Sequence, residues 1–159
     1  MELYLLRHGI ADEQSETGRD EDRRLTHEGR EKLHRVLERA HAAGVSPTAI
    51  FSSPLRRALE TAEIAARQLG YDGRIVRTPA LVPESTPHSV WNFLREHAQE
   101  TSVLLAGHEP LFSATAAYFL GSMRNIVHFR KGALVRIDLE SARGVPEGVL
   151  QWMITSKLA

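Results

Sequence analysis

The chain has 159 residues, which is enough for one ordinary domain with a proper hydrophobic core. Hydrophobic residues make up 42% of the chain and charged residues 25%, values typical of a water-soluble globular domain. Lysine and arginine balance aspartate and glutamate at 20 each, so no overall field attracts nucleic acid or an anionic membrane. The absence of cysteine excludes disulfides and thiolate chemistry. Any anion site must therefore be a local cluster of cations.

The first apolar run is too short for a signal peptide, and no stretch could span a bilayer. We therefore expect a cytoplasmic protein that binds neither membrane nor nucleic acid. The sequence contains no internal repeat, low-complexity segment or linker, which predicts one domain over residues 1–159.

The first predicted element is a short buried strand that ends in Arg7-His8-Gly9. An apolar run closed by glycine is typical of a strand that passes into a tight turn. Arg7 and His8 would then lie at the carboxyl end of the strand, where open α/β sheets bind their ligands. An arginine recognises anionic oxygens, and a neutral imidazole can act as a nucleophile.

A long polar segment and an amphipathic helix follow the first strand. Residues 11–24 are charge-rich without apolar periodicity, and such a long connector is either mobile or functional. Thr26 then precedes apolar residues at helical spacing, and Gly44 is a plausible end for this helix.

The second predicted strand, residues 49–51, leads into Ser52-Ser53-Pro54. A serine followed by proline predicts that the second helix starts at these residues. Arg56 and Arg57 would then lie in its first turn, where free backbone N–H groups also attract anions.

The later elements predict an α/β fold. Strands alternate with helices over most of the length, which favours a three-layer sandwich. Its central sheet would be mostly parallel, with helices on both faces and a late antiparallel hairpin at one edge. The remaining predicted elements are a strand over residues 74–77, a helix from Thr86-Pro87, a buried strand over residues 103–106 that ends in Gly107-His108, a helix from Leu111, and a hairpin formed by residues 133–139 and 149–154.

Two of these strand ends carry a histidine beside a glycine, namely His8 and His108. The carboxyl ends of parallel strands meet at one edge of a sheet, so the two imidazoles are expected to converge with Arg7 and an arginine of the second helix. The same motifs contribute no compensating carboxylate. Such a cluster repels itself unless an anion occupies it, and phosphate is the natural candidate. Spacing alone does not choose between Arg56 and Arg57.

Three motifs in this order resemble the histidine phosphatase superfamily, which includes the phosphoglycerate mutases and the SixA-type phosphohistidine phosphatases. They are Leu-Arg-His-Gly after the first strand, Ser-Ser-Pro-Leu-Arg-Arg-Ala-Leu-Glu-Thr-Ala at a helix start, and Leu-Ala-Gly-His-Glu-Pro after a later strand. The chain is most similar to the SixA type in three features, which are its short length, residues 23–29 and the Gly-His-Glu-Pro motif. The resemblance covers nearly the whole chain.

The resemblance implies a nucleophile and two phosphate clamps. His8 matches the nucleophile, which attacks phosphorus in line and forms a phosphohistidine intermediate that water then hydrolyses. Arg7 matches the clamp beside it. In the family the second clamp directly precedes an alanine, here Ala58, and this selects Arg57 over Arg56.

The resemblance also implies supporting residues. His108 matches the histidine that binds the transferring phosphoryl oxygens, and Arg23 aligns with an extra phosphate-binding arginine of the SixA type. Ser53 and Gly9 are expected to bind substrate. Glycine at position 9 would let the backbone approach phosphate closely or adopt a positive φ. Alternatively, Gly9 is simply a turn glycine. We expect His108 and the two clamping arginines to lower the pKa of His8, which favours its neutral form.

A general acid is the open part of the site. Phosphomonoester branches of the family use a carboxylate to protonate the leaving alcohol, and Glu84, Asp12 and Glu13 are candidates, with Glu84 preferred. SixA-type members of the family lack the usual acid, which suits phosphohistidine because imidazole leaves more readily than an alkoxide. Ala11 stands where mutases carry a small hydroxyl residue, and this argues against mutase activity.

The resulting hypothesis is a phosphohistidine phosphatase that acts on a partner protein and needs no metal or cofactor. The short chain leaves no insertion for a lid, so we expect a pocket open to a side chain of another protein. One alternative is a small-molecule phosphomonoesterase with Glu84 as acid. Another is a catalytically silent phosphate-binding or interaction domain.

Overall fold

A computed structural model describes residues 1–159 and contains one six-stranded sheet with four helices. The strands are β1 (Glu2–Arg7), β2 (Ala49–Ser52), β3 (Val76–Arg77), β4 (Ser102–Gly107), β5 (Leu134–Leu139) and β6 (Gly148–Ile154). The helices are α1 (His27–Ala42), α2 (Arg56–Gln68), α3 (Pro87–Glu96) and α4 (Leu111–Phe119), with short 3₁₀ turns at Asp20–Asp22 and Pro79–Leu81. No helix is both long and apolar enough to cross a membrane.

The sheet order is β3-β2-β4-β1-β5-β6, and the first four strands in this order run parallel. β5 pairs antiparallel with β1, and β6 pairs antiparallel with β5 at the edge. The predicted α/β fold, with its mostly parallel sheet and late antiparallel hairpin, is confirmed. In the register of β1 and β4, Arg7 lies opposite Gly107, so the residues that follow both strands emerge side by side.

Two apolar clusters lie on opposite faces of the sheet, because successive side chains of a strand point to opposite sides. Leu3 and Leu5 of β1 belong to the cluster that includes residues of α3 and α4. Tyr4 and Leu6 belong to the cluster that includes residues of α1 and α2. β1 and β4 are therefore buried on both faces, which holds the carboxyl ends of these strands in fixed positions.

The predicted starts of α1 and α3 are confirmed. Thr26 precedes α1, and its side chain accepts a hydrogen bond from the N–H of Gly29. Thr86 caps α3 in the same way by accepting from the N–H of Ser89. Both threonines satisfy a backbone donor that the helix itself leaves unpaired.

The predicted start of α2 at the serine pair is wrong. The helix begins at Arg56, and its N-cap Leu55 makes no side-chain cap hydrogen bond. Ser53 is instead extended beyond β2, where its hydroxyl accepts from the N–H of Leu55 at 3.3 Å and contacts His108. The Ser53 side chain therefore makes a tertiary contact with His108 and does not cap the helix.

The predicted third strand is shorter than residues 74–77. Only Val76 and Arg77 pair, opposite Phe51 and Ser52 of β2, and both are exposed at the sheet edge. The long segment 11–24 returns to the body of the protein at its end, where Ala11 and Leu25 form an isolated bridge.

Candidate active site

The two predicted histidines meet at the carboxyl edge of the parallel strands. His8 follows β1 and His108 follows β4, and the centroids of their rings lie 5.1 Å apart. Only 7% of His8 and 1% of His108 is exposed to solvent. The two histidines are far apart in the sequence and follow different strands. They meet because β1 and β4 are neighbouring parallel strands whose ends are in register.

One ring nitrogen of His8 is held by the backbone. Its Nδ1 lies 2.7 Å from the carbonyl oxygen of Gly9, which can only accept, so the neutral ring carries its proton on Nδ1. The lone pair is then on Nε2. The pKa of His8 is lowered to about 3, chiefly by burial and then by the charges of Arg57, Arg7 and Lys131, while the hydrogen bond with Gly9 acts in the opposite direction. Of the charges expected from the sequence, Arg7 and Arg57 lower this pKa, whereas burial, its largest cause, and Lys131 were not predicted.

His108 is held by Ser53. Its Nε2 lies 2.8 Å from the Ser53 hydroxyl, and its Nδ1 is buried without a partner. Burial, followed by the charges of His8 and Arg57, lowers the pKa of His108 to about 3, although Asp20 acts in the opposite direction. Ser53 is fully buried, so in this arrangement its hydroxyl orients His108.

Two arginines complete the cluster. Arg7 donates from Nη1 to the carbonyl oxygen of Phe129 at 2.8 Å, and its Nε is buried without a partner. Arg57 is 5% exposed, and its Nε is also buried and unpartnered, whereas Arg56 is exposed. Burial lowers the pKa of both Arg7 and Arg57 below the usual value of an arginine. Each guanidinium therefore has buried N–H groups available for an anion.

Asp20 is a site residue that the sequence analysis missed. Its Oδ2 accepts from Nη2 of Arg57 at 3.2 Å, and its Oδ1 accepts from Nε of Arg23 at 2.8 Å. Arg57 also donates to the backbone carbonyl of Asp20 at 3.0 Å. Burial raises the pKa of Asp20, but the hydrogen bond from Arg23 and the charges of both arginines produce a net lowering. The carboxylate is therefore ionised near neutral pH.

Arg23 reaches the cluster through Asp20. Besides that contact, its Nη1 donates to the backbone carbonyl of Asp12 at 2.9 Å, which holds the guanidinium across the loop. Its charge acts on Arg57, so the two guanidinium groups lie close together. In the sequence, Asp20 is one of several acids in residues 11–24, and only its spacing of three from Arg23 hinted at this contact.

Glycine at position 9 allows close packing against α1, and its φ is not positive. It is absent from the glycines with positive φ, and a Cβ there would lie 2.8 Å from Cδ1 of Leu33 and 3.2 Å from the carbonyl of Gly29. A positive φ, one of the alternatives left open for Gly9, is therefore excluded, and the close approach seen is to α1. The N–H of Gly9 donates to the hydroxyl of Thr61 at 3.2 Å, and this hydroxyl donates to the carbonyl of Arg57 at 2.7 Å.

The candidate acids lie outside the histidine pair. Glu84, Asp12 and Glu13 are exposed, and none of their carboxylates hydrogen-bonds to a histidine of the site. The charge of Glu84 nevertheless acts to raise the pKa of Arg57. No group of three or more histidine, aspartate or glutamate side chains is arranged to hold a metal ion.

Taken together, the site combines a free imidazole nitrogen, a second neutral imidazole and two buried guanidinium groups next to the start of α2. Backbone donors at a helix start and guanidinium groups bind tetrahedral oxyanions. An imidazole lone pair can accept a phosphoryl group while these donors hold its oxygens. The arrangement is therefore suited to phosphoryl transfer.

The family follows from comparison with known sequences. Residues 3–82 match the sequence model of the histidine phosphatase superfamily (branch 1), and the chain belongs to this superfamily. An uncharacterized protein of Picosynechococcus sp. is 32% identical over 145 residues, which cover 90% of this chain and 88% of that protein.

Solved structures share the fold. The protein histidine phosphatase SixA complexed with tungstate has a TM-score of 0.88 and 24% identity, with 99% of this chain and 98% of that chain covered. A mycobacterial glucosyl-3-phosphoglycerate phosphatase has a TM-score of 0.72 and 15% identity, with 94% and 96% covered. At these identities the likeness establishes the fold, and the superfamily membership supports a phosphatase activity.

Proposed function

We propose that this protein is a phosphatase that uses His8 as its nucleophile and removes the phosphoryl group from phosphohistidine on a partner protein. The observation that carries the proposal is the free Nε2 of neutral His8 beside His108 and the buried guanidinium groups of Arg7 and Arg57. Its fold, shared with a structure described as a protein histidine phosphatase, supports the choice of substrate.

The proposed reaction has two steps. The Nε2 lone pair of His8 attacks phosphorus, the phosphorus–nitrogen bond of the substrate breaks, and the leaving imidazole takes up a proton from solvent. Water then attacks phosphorus of the phosphorylated His8, which releases orthophosphate and restores the free imidazole. Arg7, Arg57 and His108 hold the equatorial oxygens, on which negative charge spreads in both transition states.

The absence of a well-placed acid supports phosphohistidine over an alkyl ester. Asp20 lies nearest to the arginines, but its lowered pKa keeps it ionised, so it does not donate a proton near neutral pH. Glu84 is exposed and makes no hydrogen bond within the site. An imidazole leaves more readily than an alkoxide, and a phosphohistidine substrate therefore depends less on an enzymic acid.

The test compares two substrates in wild type and His8→Ala. We expect wild type to release phosphate from a phosphorylated histidine-containing carrier protein faster than from an aryl phosphate. The rate of His8→Ala should fall by at least about 10³-fold, because a nucleophile is lost. His41→Ala, a histidine exposed on α1, is the matched control and should keep full activity. Activity that survives in His8→Ala would refute the mechanism.

A small-molecule phosphomonoesterase is the second candidate, because Glu84 is an exposed carboxylate whose charge acts on Arg57. A shared fold with a glucosyl-3-phosphoglycerate phosphatase supports it. For this candidate we expect a preference for phosphate esters that is lost in Glu84→Gln and kept in the exposed control Glu96→Gln. If neither substrate class releases phosphate, a silent binding domain is the better description.

A further inference from the structure

A cationic loop borders the histidine site. It connects α4 to β5, and we define residues 122–131 as the basic loop. The whole chain has a formal net charge of +0, yet no aspartate or glutamate occurs between Glu109 and Asp138. The positive charge of this region is therefore not balanced within its own stretch of sequence.

The outer side of the basic loop is both charged and apolar. Arg124, Arg130 and Lys131 are exposed, and none of them forms an ion pair with a carboxylate. Met123 is 103% exposed and Ile126 is 59% exposed, which is unusual for large apolar side chains grouped in one loop. Cations and apolar side chains thus stand side by side without partners.

The basic loop is tied to the nucleophile. The carbonyl of Phe129 accepts the 2.8 Å hydrogen bond from Arg7, and the N–H of Gly132 donates to the carbonyl of His8 at 3.0 Å. The ammonium of Lys131 lies close enough to lower the pKa of His8. The C-terminal end of the loop therefore lies at the edge of the pocket in which phosphorus would be attacked.

Alternate residues of the loop are buried, which fixes the direction of the others. Val127 and Phe129 are 8% and 0% exposed, and Phe129 packs against α4. Ile126, His128 and Arg130 therefore point outward from an anchored backbone. A backbone anchored in this way loses little conformational entropy when a partner covers it.

We propose that the basic loop is the docking surface for the partner protein, and that this partner presents acidic residues beside its phosphohistidine. The inference rests on the proposed function, since it assumes that phosphohistidine is carried by a protein. Carboxylates would pair with the free cations, and an apolar side chain would cover Met123 and Ile126. A small phosphate compound enters the pocket without needing this surface.

The test uses two phosphohistidine peptides that are identical except for their flanking residues, which are aspartate in one and asparagine in the other. Free phosphohistidine is the third substrate. We expect wild type to hydrolyse the aspartate peptide with a kcat/KM about tenfold higher at low ionic strength. This advantage should disappear at about 1 M salt, where the Debye length is only about 3 Å.

Charge reversal in the loop should remove the preference. In the double variant Arg124→Glu, Arg130→Glu we expect the asparagine peptide to be hydrolysed at least as well as the aspartate peptide, with hydrolysis of free phosphohistidine unchanged. The matched control is Arg35→Glu, Arg39→Glu, which makes the same charge change at exposed positions of α1. This control should keep the wild-type preference.

The outcomes separate the two proposals. Equal kcat/KM for both peptides in wild type, or a preference that persists in the loop variant, overturns the docking surface and leaves the proposed function standing. An equal loss on free phosphohistidine also overturns it, because the loop would then act through the pocket. If wild type hydrolyses neither peptide nor free phosphohistidine, the proposed function fails and the docking surface fails with it.

Discussion

Asp20 gives the cationic site an anion of its own. Its carboxylate bridges Arg57 and Arg23, the two arginines that we expect to bind a phosphoryl group. The side chain of Asp20 is 66% exposed, so it can turn into solvent when an anion arrives. We therefore expect substrate to compete with the Asp20 carboxylate, which neutralises the arginines when no anion is bound.

Removing the charge of Asp20 should strengthen anion binding. For Asp20→Asn we expect orthophosphate to inhibit with a KI about tenfold lower, because one repulsive charge within a few ångströms contributes roughly 1–4 kcal/mol. The measurement is competitive inhibition by orthophosphate during phosphohistidine hydrolysis at fixed ionic strength.

The matched control for Asp20 lies two residues away. Asp22 belongs to the same turn, but its carboxylate accepts from Thr17 and Arg19 and makes no contact with Arg57. Asp22→Asn should leave the KI of orthophosphate unchanged. A KI that rises in Asp20→Asn, or falls equally in both variants, would show that the carboxylate does not compete with phosphate.

Among the secondary-structure elements, α2 is the one whose start the local helix-capping rule did not predict. Ser53 and Pro54 carry the signature of a helix start, yet the helix begins at Arg56 because the Ser53 hydroxyl is engaged by His108, 55 residues away. Thr26 and Thr86 have no such distant partner and cap their helices as predicted. The sequence motifs therefore predicted which strand ends meet, while the capping rule failed at the serine that contacts His108.

Thr61 of α2 links the two phosphate motifs, and its removal should reduce activity. Its hydroxyl bridges the N–H of Gly9 and the carbonyl of Arg57. Thr61→Val leaves the buried Gly9 donor unpaired, so we expect a loss of about 1–3 kcal/mol in the free energy of unfolding. We also expect kcat to fall with little change in KM, measured well below the unfolding temperature, because the turn that carries His8 loses its anchor.

Two variants distinguish this role from the loss of a buried hydroxyl in general. Thr61→Ser keeps the bridge and should recover most of kcat. Thr115 of α4 is also fully buried, but its hydroxyl has no hydrogen-bond partner. Thr115→Val should therefore lower kcat and the free energy of unfolding much less than Thr61→Val does. Equal effects of the two valine variants would contradict a bridging role for Thr61.

For the whole molecule, the order of strands and helices was predictable because each apolar run has a clear period and a clear end. The convergence of His8 and His108 was also predictable, since it needs only two parallel strands that end at one edge. The position of Asp20 was not, because it depends on how residues 11–24 fold across α2. The tight approach of Gly9 to α1 likewise depends on packing between elements distant in sequence.

Burial of two neutral histidines should make the whole protein sensitive to acid. The pKa values of His8 and His108 fall from 6.5 to about 3 on folding. Between about pH 6 and about pH 4 the unfolded chain therefore binds protons at these two sites that the folded chain does not. Stability should fall as pH falls through this range, by up to about 1.4 kcal/mol per pH unit for each histidine.

Urea denaturation at a series of pH values measures this dependence. His108→Gln should reduce the slope of unfolding free energy against pH by about 1.4 kcal/mol per unit between about pH 6 and about pH 4. Aspartates and glutamates with lowered pKa, such as Asp20, act in the same direction at lower pH and are common to both proteins. His41→Gln, exposed on α1, should keep the wild-type slope. A wild-type slope near zero would mean that the two imidazoles are charged in the folded protein, and a charged His8 could not attack phosphorus.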